Sequence, residues 1–146
     1  MLTEQHFLTP AEIDRLREAI QTAEQHTSGE IRVYFEKKCK EERTLERAMH
    51  VFCELQMQQT VLRNGVLLYI AYQSHHFAII GDEAIHTVVE QKFWDEMNQI
   101  ALEHFKNQKH IEGLELVIAR IGAELKKYFP VLENDQNELA DDIIIK

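Results

Sequence analysis

The sequence predicts a single α/β domain in which helices cover a small mixed sheet, in the order helix-strand-helix-strand-strand-helix-helix. A chain of 146 residues is close to the commonest size of one domain. Stretches with helical steps of three and four residues alternate with short apolar strand patterns, which is typical of α/β proteins. This alternation occupies residues 1–132, and residues 133–146 are interpreted as an acidic tail with an apolar end.

The first helix is predicted to begin at Thr9, which can cap it, with Pro10 at the first helical position. Glu12 completes a capping box three residues after Thr9. The apolar stripe of this helix ends near Gly29, a residue typical of helix ends. In residues 30–36 apolar and polar side chains then alternate, which predicts a first strand with one covered face.

A second helix is predicted for residues 44–58, with Leu45, Met49 and Phe52 among the residues of its apolar face. Residues 65–72 are apolar at both alternating positions, which is typical of a central strand covered on both sides. Because a helix connects the first two strands, we expect these strands to be parallel.

A third strand, residues 76–80, follows a short polar break at residues 73–75 and ends at Gly81. A break this short predicts a hairpin, so the third strand should run antiparallel to the second. Two more helices follow, with apolar faces that begin at Phe93 and Leu114.

The tail ends in Ile143, Ile144 and Ile145. A free chain end rarely carries three adjacent apolar, β-branched residues unless they cover something. Two alternatives stay open: these residues add an edge strand to the sheet, or they dock on a protein partner.

Composition and charge exclude several classes of protein. Asp and Glu outnumber Lys and Arg by 25 to 16, and the net charge of −9 opposes binding to nucleic-acid phosphates or anionic lipid. Cys39 and Cys53 lie in no zinc-like spacing, so we expect free thiols in a reducing compartment. The sequence shows neither a signal-peptide pattern nor an apolar run near the ~20 residues that span a bilayer. We therefore expect a soluble, cytoplasmic protein, whose oligomeric state the sequence does not predict.

Three polar clusters are expected to meet at one rim of the sheet, because the third strand ends where the first two begin. The carboxylates of Glu30, Asp82 and Glu83 would suit Ca²⁺ or Mg²⁺, and Arg63 and Asn64 would hold a phosphate oxygen beside the ion. The alternative interpretation is that these are turn residues and solvated charges.

The opposite rim carries Cys39 after the first strand and the pair His75-His76 in the predicted hairpin. Ligands favour the carboxyl ends of parallel strands, but we expect only two parallel strands here. An exposed polar turn is therefore the plainer interpretation, and a ligand or acid/base role of the histidines is the alternative. The chain contains no HExxH motif, no phosphate-binding glycine loop, no GxSxG elbow and no GxGxxG fingerprint.

Three stretches of the sequence resemble the TPM domain family, also called the TPM phosphatase domain, of thylakoid lumen acid phosphatase-like proteins and their bacterial relatives. They read SGEIRV at 28–33, RNGVLLYIA at 63–71 and FAIIGD at 77–82. The resemblance covers about residues 7 to 130 by the order of strands and helices. It implies an α/β/α sandwich and a phosphatase activity linked to a divalent metal, whereas Asn64, Gly81 and Asp82 match the family pattern only as positions. Many relatives carry a signal peptide and a membrane segment. Because this sequence shows neither pattern, it resembles a stand-alone cytoplasmic member of the family.

Two functions therefore follow from the sequence. The first is a metal-dependent, phosphatase-like hydrolase that acts on phosphomonoesters, with Ca²⁺ or Mg²⁺ to polarise the phosphoryl group and activate water. The alternative is a non-catalytic module that binds a protein partner through the C-terminal tail.

Overall fold

The computed structural model describes residues 8–131 and 143–146. This part of the chain contains five helices and four strands, in an order that confirms the predicted succession and adds a short helix after the third strand. The elements are α1 (Pro10–Glu24), β1 (Glu30–Glu36), α2 (Thr44–Glu54), β2 (Gly65–Ala71), β3 (His76–Gly81), α3 (Glu83–Val88), α4 (Gln91–Lys106), α5 (His110–Tyr128) and β4 (Ile143–Ile145).

The four strands form one mixed sheet in the order β3-β2-β1-β4. β1 pairs in parallel with both of its neighbours, β2 and β4, and β3 returns antiparallel to β2. The predicted hairpin is therefore confirmed. The sheet contains three parallel strands rather than the two expected from the sequence, because the end of the chain contributes the third.

The three terminal isoleucines form the edge strand β4, which is one of the two alternatives left open by the sequence. Ile143 lies beside Val33 and Ile145 beside Phe35, and the Lys146 N–H donates to the Phe35 carbonyl at 2.8 Å. The predicted acidic part of the tail, like the predicted domain boundary at residue 132, lies outside the described residues. The boundary stays a prediction.

Helices cover both faces of the sheet. Helices α1, α4 and α5 pack on one face around Val33, Leu68 and Ile121, and α2 packs on the other around Phe52 and Leu67. The arrangement is an α/β/α sandwich, as the sequence predicts. None of the helices in the described part of the chain has the length and apolar character needed to cross a bilayer.

Strand β1 differs from the prediction of a half-covered strand, because all seven of its residues are buried. Its polar residues occupy the face that lies towards α2; they are Glu30, Arg32, Tyr34 and Glu36. Polar side chains can be buried where hydrogen bonds replace their contacts with water. The alternation of β1 therefore marks two different buried environments, and not a core side and a solvent side.

Helix α2 ends at Glu54 and is rotated relative to the predicted apolar face. Leu45 and Met49 are 59% and 46% exposed, respectively. The residues of α2 that are buried are Arg47, Ala48, Val51 and Phe52. The rotation brings Arg47 over the sheet and leaves two large apolar side chains at the surface beside β3.

Candidate functional site

The starts of β1 and β2 and the end of β3 lie at one rim of the sheet. Glu30 pairs with Gly65 in the parallel register of β1 and β2. On the side of β3, the Gly65 carbonyl accepts the Asp82 N–H at 2.9 Å. Since Glu30 and Asp82 are both opposite Gly65, their side chains leave the same face of the sheet, roughly 10 Å apart at the backbone.

Arg63 and Asp82 form a bidentate ion pair at this rim. Arg63 Nε donates to Asp82 Oδ2 and Nη2 donates to Oδ1, both at 2.8 Å. The Asp82 side chain is 4% exposed and that of Arg63 is 38% exposed. The hydrogen bonds to Asp82 raise the pKa of Arg63, which therefore stays cationic. Asp82 fixes the plane of the guanidinium while part of that group remains open to solvent.

The backbone around this pair is also fixed. Arg63 has φ 53°, a left-handed conformation that non-glycine residues adopt infrequently. Its carbonyl accepts the Ala84 N–H at 3.2 Å. Asp82 caps α3, since its Oδ1 also accepts the Glu83 N–H at 2.7 Å. The loop before β2 and the first turn of α3 are therefore held together at the position of the ion pair.

The other predicted site residues lie around the pair at different depths. Glu83 is 73% exposed, with Oε2 3.6 Å from Arg63 Nη1. Glu30 is buried on the neighbouring strand, and Asn64 is 1% exposed. The Asn64 amide donates to Ser28 Oγ at 3.3 Å. The structure thus brings Arg63, Asp82 and Glu83 into contact, and it places the side chain of Asn64 in a separate buried hydrogen bond.

A groove of about 790 Å³ runs along β3 and includes the Arg63–Asp82 pair. Leu45 and Met49 of α2 line one wall, and Trp94 of α4 lines the other. The volume is within the range typical of small-molecule sites. The groove therefore gives a ligand access to the exposed edge of the Arg63 guanidinium.

Helix α3 adds two groove residues that the sequence analysis missed. His86 and Thr87 line the groove together with Glu83. Residues three and four positions apart share one face of a helix, which explains why these side chains occur together. The six residues of α3 are too few to show a helical period in the sequence. However, Asp82 followed by Glu83 is typical of the start of a helix and could have predicted α3.

The described geometry is an ion pair and not a preformed metal site. Within residues 8–131 and 143–146, no three His, Cys, Asp or Glu side chains form a group that could hold a metal ion. Both oxygens of Asp82 already accept hydrogen bonds from Arg63. Ca²⁺ requires six to eight oxygen ligands and Mg²⁺ a near-octahedral set. The metal site predicted at Glu30, Asp82 and Glu83 stays a prediction, and we derive no chemical step through a metal.

A second polar cluster is buried between α2 and the sheet. Arg47 Nε and Nη2 donate to the two oxygens of Glu36 at 2.8 and 3.0 Å, and Nη1 donates to Glu54 at 3.2 Å. The Tyr69 hydroxyl donates to Glu36 as well. Burial and the bond to Glu36 raise the pKa of Tyr69. Every member of this cluster has a partner, which is the arrangement expected of a structural network.

The cluster predicts acid sensitivity. Burial would raise the pKa of Glu36, but hydrogen bonds from Arg47 and Tyr69 outweigh it, so the pKa lies below its ordinary value of 4.5. The folded state therefore holds this proton less tightly than the unfolded chain does. The stability that ionised Glu36 contributes is complete above about pH 4.5 and is lost as the pH falls through the lowered pKa.

We expect the difference in unfolding free energy between the wild type and Glu36→Gln to shrink as the pH falls below about 4.5, because the variant lacks this titration. Urea unfolding at a series of pH values from about 7 to about 3 measures the difference. A difference that stays constant over this range would contradict the proposed role of ionised Glu36.

Comparisons with known proteins agree with the fold described above. The family model for the TPM domain, labelled TPM phosphatase, matches residues 1–124. The NMR structure of the BA42 protein from the psychrophilic bacterium Bizionia argentinensis is 41% identical, covers 99% of both chains and has a TM-score of 0.89. The N-terminal domain of the cg2496 protein from Corynebacterium glutamicum is 12% identical, covers 81% of this chain and 74% of that one, and shares the fold with a TM-score of 0.64. No protein of curated function matches the chain.

Proposed function

Because the chain belongs to the TPM domain family, we propose that it is a phosphatase-like hydrolase that binds a phosphomonoester in the groove beside β3. The observation that carries the proposal is the Arg63 guanidinium, which both oxygens of Asp82 hold at 2.8 Å while part of the group faces the groove. The family label supports the reaction class.

Arg63 is the proposed phosphate-binding residue. A guanidinium is planar, always charged and suited to bind two oxygens of a phosphate at once. Its contact with exposed Glu83 is long, at 3.6 Å, and is the one that an entering phosphate would displace. Asp82 then acts as a positioning residue. A donor that is fixed in advance stabilises the charge that develops on the phosphoryl oxygens in the transition state.

His86 is the proposed proton donor to the leaving group. It lies in the groove on the same helix face as Glu83, close in sequence to the Asp82 cap. Histidine is the side chain that most often transfers protons to and from reacting groups in enzymes. The dependence on Ca²⁺ or Mg²⁺ at Glu30, Asp82 and Glu83 is a separate part of the proposal. A metal ion bound to Asp82 would have to replace hydrogen bonds that Asp82 accepts from Arg63. The cytoplasmic location expected from the sequence likewise stays a prediction.

The substitution Arg63→Gln is expected to lower kcat/KM for p-nitrophenyl phosphate by about 10²–10³-fold, the cost typical of losing one donor to a transition-state oxyanion. Hydrolysis is measured with and without added Ca²⁺, Mg²⁺ and Mn²⁺, which also tests the metal dependence. Arg15→Gln is the matched control, because Arg15 makes a similar bidentate pair with Glu115, at 2.6 and 3.1 Å, on helices outside the groove. Equal rates for the wild type and Arg63→Gln, or no hydrolysis above background with any of these ions, would overturn the proposal.

The alternative function is a protein-binding module, and the outer edge of β3 favours it, because no other strand of residues 8–131 and 143–146 pairs with that side. In the register of β2 and β3, Gly65 and Asp82 form a hydrogen-bonded pair, so Phe77 and Ile79 direct their N–H and C=O groups to the outer edge. Such an edge can accept an extended peptide as an added strand. Since the terminal isoleucines pair with β1, we propose the groove as the place where an extended peptide binds. Binding of a partner through the rest of the tail stays a prediction. Binding of extended peptides by a wild type that shows no hydrolysis would favour this alternative.

A further inference from the structure

A second cavity, of about 390 Å³, lies at the opposite rim of the sheet from Arg63. Phe35 at the end of β1, and Ala71 and Tyr72 at the end of β2, contribute to its lining. Ligands of parallel sheets favour the crevice at the carboxyl ends of the strands. With β4 included, three parallel strands end at this rim. The cavity therefore occupies the position where such sheets usually bind ligands.

The floor of this cavity is apolar. Phe35, Ile70 and Leu114 line it and are almost completely buried. Phe105 lines it from α4 and is held edge-on against Phe77, with ring centroids 5.6 Å apart. A floor of two aromatic rings and two branched aliphatic side chains suits a flat apolar group of the ligand.

The rim of the cavity is polar and carries three histidines, His75, His76 and His110. His76 Nδ1 is 3.0 Å from Ser74 Oγ, which helps to orient this ring. His110 Nε2 is 4.0 Å from Glu12, whose carboxylate already accepts the Thr9 N–H at 2.9 Å in the capping box of α1. Among the described residues that line the cavity there is no Asp or Glu. In a chain with a net charge of −9, this local excess of imidazole donors favours an anionic ligand group.

Two loops hold the rim in an infrequent backbone conformation. His75 has φ 59° and Gln108 has φ 60°, so two of the four left-handed non-glycine residues in the described part of the chain lie at this cavity. Hydrogen bonds fix both loops, since the Gln73 N–H donates to the Lys37 carbonyl and the Lys109 N–H donates to the His104 carbonyl, at 2.8 and 2.7 Å. Residues in sparsely populated conformations cluster at ligand sites.

We propose that this cavity binds a small aromatic carboxylate. The ring lies on the floor formed by Phe35 and Phe105, and the carboxylate accepts hydrogen bonds from the rim imidazoles and the Gln108 amide. The site is separate from the groove beside β3, so this proposal does not depend on the proposed phosphatase activity.

Phenylacetate, 2-phenylethanol and acetate test the proposal by ¹H–¹⁵N chemical-shift titration of the full chain. We expect phenylacetate to shift the amides of His75, His76, Gln108 and His110 saturably, with a Kd of about 1 mM or tighter. The neutral 2-phenylethanol should bind at least about tenfold more weakly, because it lacks the charged acceptor. Acetate lacks the ring and should cause no saturable shift.

The variant His75→Ala/His76→Ala/His110→Ala, which removes the imidazole donors, is expected to weaken phenylacetate binding by about tenfold or more, whereas the exposed control His26→Ala should not. The comparison of charged and neutral ligands uses the wild type, so it stands even if the triple variant does not fold. The proposal is overturned if 2-phenylethanol binds as tightly as phenylacetate or if the saturable shifts map to the groove around Arg63. It is also overturned if no saturable shift appears up to about 20 mM phenylacetate.

Discussion

The substitution Arg47→Met is expected to lower the free energy of unfolding by about 3–5 kcal/mol, the cost of breaking a buried ion pair by removing one partner. Arg47 and Glu36 are 9% and 3% exposed, and two hydrogen bonds join them. Without the guanidinium, the Glu36 carboxylate would remain buried with the Tyr69 hydroxyl as its other described hydrogen-bond donor. Urea unfolding at neutral pH, followed by circular dichroism, measures the change.

Arg43→Met is the matched control, because Arg43 lies just before α2 and is 77% exposed, with its guanidinium 3.8 Å from Glu46. We expect that variant to change stability by no more than about 0.5 kcal/mol. The double variant Arg47→Met/Glu36→Gln should recover part of the loss, since it also removes the buried charge. A loss for Arg47→Met no larger than that of the control would show that the pair contributes little to the fold.

Replacement of the three terminal isoleucines by serine is expected to destabilise the protein by about 2–4 kcal/mol, since each side chain is half-buried. Ile143 and Ile145 pack against the core on the side of α1 and α5, and Ile144 packs against the core on the side of α2. Loss of β4 would also free the Lys146 N–H from the Phe35 carbonyl. Urea unfolding measures the stability, and hydrogen exchange at the Lys146 amide reports whether β4 is paired.

The corresponding replacement of Ile143, Ile144 and Ile145 by valine is the control, because valine keeps the β-branched shape and the length of the chain. It should retain protection of the Lys146 amide and cost less than the serine variant, since one methylene per residue is lost. Equal stability of the serine and valine variants would mean that β4 does not support the sheet.

The features of the fold that the sequence predicts are those encoded within short stretches. The apolar run from Gly65 to Ala71 identifies the central strand, and the short polar break after Tyr72 identifies the hairpin. Because the hairpin reverses the chain direction, the sequence also predicts that Glu30 and Asp82 lie at one rim of the sheet. The register of β1, β2 and β3 confirms this position. These inferences need only chain direction and side-chain period.

The features that the sequence analysis misses depend on partners from distant segments. Glu36 in a strand with alternating polarity suggests a solvent-facing position, and its burial becomes understandable only when Arg47 and Tyr69 are seen beside it. The pairing of Arg63 with Asp82 joins positions 19 residues apart and changes how the rim is interpreted. The carboxylates at this rim predict metal ligands, and the structure adds that the Arg63 guanidinium contacts both oxygens of one of them, Asp82. The metal site itself stays a prediction. The alternation of polar and apolar residues along an element does not predict which charged side chains contact each other.

The position of β4 has a consequence for how the protein folds. Its pairing joins Val33 to Ile143, whereas β1, α2, β2 and β3 are consecutive in the chain. Contacts between distant residues carry a larger loop-closure entropy and tend to form late. We therefore expect β4 to dock after the transition state, on a sheet that the other three strands have already built. The serine variant would then accelerate unfolding and leave the refolding rate nearly unchanged, which a denaturant series of both rates would reveal.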